Sequence, residues 1–109
     1  MSNYETVFVK CVFSKGGFPT ERLYRITDPH AKSAAGGLVP SYYCFDDRMK
    51  RLSDKAEPPE GKSVKGYLEA LLIQHNGDGT VQLDLPDGKV LIVSPALLKD
   101  EVASVPLER

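Results

Sequence analysis

The stretch from Val64 to Leu98 restricts this chain more than any other part of it. Val81, Leu83 and Leu85 alternate with Thr80, Gln82 and Asp84, so an extended strand buries one face and wets the other. Asn76-Gly77-Asp78-Gly79 precedes this run and Pro86-Asp87-Gly88 follows it, and both compositions reverse a chain tightly. Val64 to Gln74 is apolar through Tyr67, Leu68, Ala70, Leu71, Leu72 and Ile73. Val90-Leu91-Ile92-Val93 reads as a fully buried strand, and Ser94-Pro95 opens one helical turn carrying Ala96, Leu97 and Leu98. The expected product is a three-stranded meander, closed by a last edge strand near Val102 to Val105.

The first half repeats the signal more weakly. Val7, Val9, Cys11 and Phe13 occupy alternate positions while Lys10 breaks the other face, which predicts a strand. Ser14-Lys15-Gly16-Gly17 supplies turn residues, and Arg22 to Thr27 is β-branched and aromatic enough to return as its antiparallel partner. Asp28 to Pro40, with paired Gly36-Gly37 and three alanines, holds neither period and reads as a loop. Tyr42-Tyr43-Cys44-Phe45 fits a short strand. In the alternative it opens a short helix over 46–55, capped by Asp46 or Asp47, with Phe45, Met49 and Leu52 on one face. Lys55 to Lys62, with Pro58-Pro59 and Gly61, excludes helix and central strand. The halves on either side of it are each too short for a core of their own, so they must pack together.

These strands define a mainly β chain: one small antiparallel barrel spanning 1–109, with a short helical turn and, in the alternative, one short helix. Lys and Arg total 14 against 15 for Asp and Glu, so no whole-molecule field draws it to nucleic acid or an anionic membrane. No apolar run reaches the roughly 20 residues that cross a bilayer, and the start lacks a basic segment followed by an apolar one. The expectation is a soluble cytoplasmic protein, a monomer or weak homodimer, with no membrane partner. Cys11 and Cys44 each fall inside an apolar segment, away from any zinc or redox spacing, and read as buried reduced thiols.

The segments Gly66 to Ile73, Val81 to Lys89 and Val90 to Leu98 together resemble the body of SH3-like and Tudor-like barrels. An aromatic-x-x-Ala strand, a strand ending in Asp-Gly turn residues and a Leu after the helical turn carry the resemblance. It implies the fold. Tudor-like readers of methylated side chains hold the cation among several ring faces. This chain has no Trp, and Pro86 stands where an aromatic ring is usual.

Catalytic and metal constellations are absent from the pattern. His30 and His75 lie far apart, and Asn76, Asp78 and Thr80 lack the Gly and Glu that a calcium loop needs at its sixth and twelfth positions, which makes them a hairpin turn. Gly36-Gly37 lacks the lysine of a phosphate loop, Asp46-Asp47 reads as turn capping, and a Cys44–His75 nucleophile pair rests on spatial proximity alone. No cofactor is expected. The candidate binding surface is Tyr42, Tyr43, Phe45 and Tyr67 with Arg48, Lys50 and Arg51. The aromatics point to a non-enzymatic module for a protein or peptide partner. The cluster Arg48, Lys50, Arg51, Lys62 and Lys65 points alternatively to nucleic acid, where cations hold phosphates and rings stack on bases.

Overall fold

A computed structural model describes residues 4–99, and they form one antiparallel seven-stranded sheet curled into a nearly closed barrel. The expected edge strand near Val102 to Val105 lies outside the described residues. β1 (Glu5–Lys15) turns Val7, Val9, Cys11 and Phe13 into the core, as their alternation requires. β2 (Glu21–Asp28) returns beside it with Arg22, Tyr24, Ile26 and Asp28 buried. The ladder between them runs only from Lys15↔Arg22 to Val12↔Arg25, beyond which the two strands part.

β5 (Ser63–His75) joins the halves of the chain by pairing with β1 from Glu5↔Leu72 to Ser14↔Ser63. β6 (Val81–Asp84) and β7 (Val90–Val93) complete the expected meander, with a bulge between Leu72 and Gln74. A 3-10 turn, Pro95–Leu97, then brings Leu98 against Val9, and Lys99 N donates to Phe8 O at 2.8 Å.

Three expectations are corrected. Residues Ser33–Pro40 are not a loop but a strand, β3, paired with β2 along its whole length from Glu21↔Pro40 to Asp28↔Ser33. The helix over 46–55 does not form. A 3-10 turn, Ser41–Tyr43, leads into β4 (Cys44–Asp46), and the chain then doubles back so that Phe45 bridges Arg51, with Met49 at φ 64° in the tip. β4 pairs with β5 at Gly66, where a Cβ would stand 2.0 Å from the Phe45 carbonyl oxygen, so only glycine admits this strand. Finally, β7 is not buried on both faces. Leu91 and Val93 are buried, but Val90 and Ile92 are 56% and 45% exposed because no described residue covers the barrel on that side.

The first and last strands of the sheet path, β3 and β7, meet without a backbone ladder. Side chains stitch them instead. Ser33 Oγ donates to Ile92 O at 2.6 Å, and Lys89 Nζ donates to Gly36 O. Tyr24 OH donates to Asp87 Oδ2 at 2.7 Å, and that carboxylate also pairs with Lys89 at 3.2 Å. Asp28, almost fully buried, accepts from Ser94 N and Ser94 Oγ through Oδ2, at 2.6 and 2.9 Å, tying the end of β2 to the start of the last turn.

Candidate functional site

Cross-strand register assembles a platform on the outside of the barrel. Phe45 on β4 lies opposite Tyr67 on β5, and Tyr67 lies opposite Lys10 on β1. One row along, Lys65, Val12 and Arg25 stand side by side on β5, β1 and β2. Neighbouring strands are about 4.8 Å apart and diagonal neighbours about 7–8 Å. Lys10, Arg25 and Lys65 therefore surround Val12, with Lys10 and Lys65 about 7–8 Å apart across the β1–β5 ladder.

Because β1 and β2 part beyond Val12 and Arg25, the platform is hollowed there into a groove of about 660 Å³. Val12, Tyr67 and Leu97 give it an apolar lining, Lys10, Arg25 and Lys65 surround that lining, and Asp47 is the one acidic group on it. Among the described residues, none of the three cationic side chains makes a hydrogen bond or an ion pair, whereas Lys55 and Lys89 pair with Asp46 and Asp87. Like charges held within about a Debye length of each other repel, so an anion in the groove lowers the energy of the face as well as its own.

The seven residues singled out from the sequence are divided by the fold. Phe45 is 7% exposed: Phe8 packs edge-on to it at 5.3 Å, and the Arg51 guanidinium lies 5.0 Å from its ring centroid. Arg51 also lies 4.0 Å from the exposed ring of Tyr42 and donates from Nε to the Tyr42 carbonyl at 3.1 Å. It is thus stacked between two rings, and its terminal nitrogens make no hydrogen bond among the described residues. Tyr67 is half-buried in the platform. Tyr43 meets Tyr42 edge-on at 5.6 Å but packs its ring against the core, away from the groove. Arg48 and Lys50 are exposed at the tip after β4, where their backbone N–H groups both donate to Asp46 Oδ1 at 2.9 Å. Asp46 is the turn cap expected of it, and the N–H of Lys50 chiefly holds its carboxyl below the ordinary value.

Sequence reasoning did not find Lys10 and Arg25. They sit on different strands, fifteen positions apart, and only the register through Val12 makes them neighbours. The tested catalytic pair does not assemble: Cys44 is opposite Leu68 and His75 lies seven residues further along β5, about 23 Å away. Burial pushes the Cys44 thiol up to about 12, against a smaller downward pull from Arg22, and Cys11 is raised by burial and by Cys44. Both cysteines are free and buried, as expected. Asn76 N donates to Thr80 O at 2.8 Å, closing the hairpin turn that the sequence predicts there.

Comparison with protein-family models, curated proteins and solved structures returned no match. The class established is a small antiparallel near-barrel with a basic, partly aromatic outer face.

Proposed function

We propose that this chain is a non-enzymatic interaction module, an SH3-like barrel of the Tudor-like kind that binds a segment of a protein partner across the outer face of β1, β2 and β5. The observation that carries this reading is the groove around Val12, apolar in its lining and ringed by Lys10, Arg25 and Lys65, which pair with no acidic group among the described residues. Nucleic acid fits the same charge less well. Base stacking needs free ring faces. Here Arg51 lies over Tyr42, Phe45 is covered, and Tyr67 is half-buried. A net charge of −1 also supplies no long-range attraction to a phosphate backbone.

The test is peptide selection from an unbiased phage-displayed library, followed by binding measurements on the folded protein. Selected peptides should lose binding to the triple variant Lys10→Glu/Arg25→Glu/Lys65→Glu and keep it for Val90→Ser/Ile92→Ser, which alters the opposite flank of the barrel. Failure to enrich any peptide, or equal binding to both variants, removes the support for this face.

A further inference from the structure

Resting on that reading, we infer that the partner segment is an acidic, extended stretch with carboxylates at every second position, one of them being taken by the stacked fork of Arg51. Complementarity of charge and shape sets this chemistry. An extended segment repeats its side-chain direction every two residues, about 6.8 Å, which matches the roughly 7–8 Å diagonal between Lys10 and Lys65 across the β1–β5 ladder. Carboxylates at that spacing share one face of the segment and meet the cations, their aliphatic stems resting on Val12, Tyr67 and Leu97, while the residues between them point away from the groove.

Arg51 extends the same face. It stands over Phe45, Phe45 is opposite Tyr67, and Tyr67 borders the groove, so the guanidinium lies at the groove's β4 side. Two rings and the Tyr42 carbonyl hold it in position before any ligand arrives. A planar fork held in this way binds a carboxylate with two parallel N–H donors at small entropic cost. Asp46 does not neutralise it, because both oxygens of Asp46 are already engaged, by the N–H groups of Arg48 and Lys50 and by Lys55 at 3.1 Å.

The experiment is an NMR titration of the isotopically labelled full chain with three probes: the peptide acetyl-Gly-Glu-Val-Glu-Leu-Glu-Gly-amide, its counterpart with every Glu replaced by Gln, and a twelve-nucleotide oligothymidylate. The acidic peptide should shift the amides of Lys10, Val12, Arg25, Lys65 and Tyr67. It should bind at least about tenfold more tightly than the Gln peptide and weaken several-fold as salt rises from about 50 to about 300 mM. Arg51→Lys keeps the charge but not the fork, and should cost the acidic peptide several-fold in affinity while leaving the Gln peptide unchanged. Equal binding of the Gln peptide at this face overturns the acidic requirement and leaves the interaction reading standing. The same holds if neither peptide binds while library selection still returns peptides dependent on the face. Tighter binding of the oligonucleotide assigns the face to nucleic acid and overturns both. Absence of any binder in both experiments also overturns both.

Discussion

Replacing Asp28 with asparagine removes one negative charge and one acceptor while leaving the shape of the side chain intact. In the native fold Oδ1 accepts from His30 N at 3.0 Å and Ala31 N at 3.3 Å, and Oδ2 accepts from Ser94 N and Ser94 Oγ. Asparagine keeps one acceptor oxygen, so its amide nitrogen must face donors on one side or the other. Hydrogen bonds to a charged group contribute about 1.5–3 kcal/mol each, and a buried donor left unpaired costs about 1–3 kcal/mol. A loss of about 2–3 kcal/mol is therefore expected for Asn, and more for Ala, out of the ~5–15 kcal/mol typical of a folded domain. With a urea slope of about 1–3 kcal/mol per molar, the unfolding midpoint falls by roughly 0.7–3 M. Tyrosine fluorescence or far-ultraviolet circular dichroism follows the transition, since the chain has five Tyr and no Trp.

The pH dependence provides a second arm. Burial, the largest single influence, pushes the Asp28 carboxyl up, but the combined hydrogen bonds from Ser94, Ala31 and His30 hold it below its ordinary 3.8. The unfolded chain therefore binds more protons than the folded one between the two values, and stability falls as pH falls. The contribution is fully present above about pH 5 and disappears as pH drops through the unfolded value and then the native one. The asparagine variant lacks it, so the gap between parent and variant should narrow from pH 7 to pH 3. A midpoint within about 0.3 M of the parent at neutral pH, or a gap that does not change with pH, would refute the role given to Asp28.

Three other outcomes follow from the geometry. Gly66→Ala places a methyl group 2.0 Å from the Phe45 carbonyl, against backbone that cannot yield, so it should cost more than about 2 kcal/mol and raise amide exchange along β4; unchanged exchange would show that β4 does not depend on this approach. Tyr24→Phe deletes the phenol that donates to Asp87 and should lower stability by about 1–2 kcal/mol in urea, while a neutral result would mean that Lys89 alone holds that carboxylate. Cys11 and Cys44, buried and with raised pKa values, should react with a disulfide reagent near pH 8 only as fast as the barrel opens. Fast stoichiometric labelling of folded protein would contradict that burial.

The elements written plainly in the sequence are those whose side chains carry their own period. β1, β5 and β6 alternate or run apolar, and the Asn76 to Gly79 and Pro86 to Gly88 turns separate them. β3 was hidden because Ala34, Ala35, Gly36 and Gly37 carry almost no side chain to show a period. Its small residues answer to tertiary neighbours: a Cβ on Gly37 would sit 2.7 Å from Asp87 Oδ2 and 2.9 Å from Lys89 Nζ. The exposure of Val90 and Ile92 was hidden for the opposite reason, since an apolar run looks the same whether one face is covered or both. At the candidate site, the local cluster Arg48 to Arg51 was legible, and so were the aromatics before it. What the one-dimensional order concealed was that Arg51 turns inward onto Tyr42 and Phe45, and that Lys10 and Arg25 arrive from separate strands.

The junction between β3 and β7 means that this barrel is a rolled ribbon whose margins are latched rather than woven together. Each latch depends on a side chain, and two of them depend on a carboxylate: Asp28 on Ser94, and Asp87 between Tyr24 and Lys89. The ribbon should therefore loosen first along this line, with amides of β3 and β7 exchanging well before those of β1 and β5, which lie deep in continuous ladders. While the latches hold, each margin shields the other from foreign strands. Once acid releases them, both become free templates for pairing. A chain of near-neutral charge thus keeps its guard against self-assembly in the same few groups that close its fold.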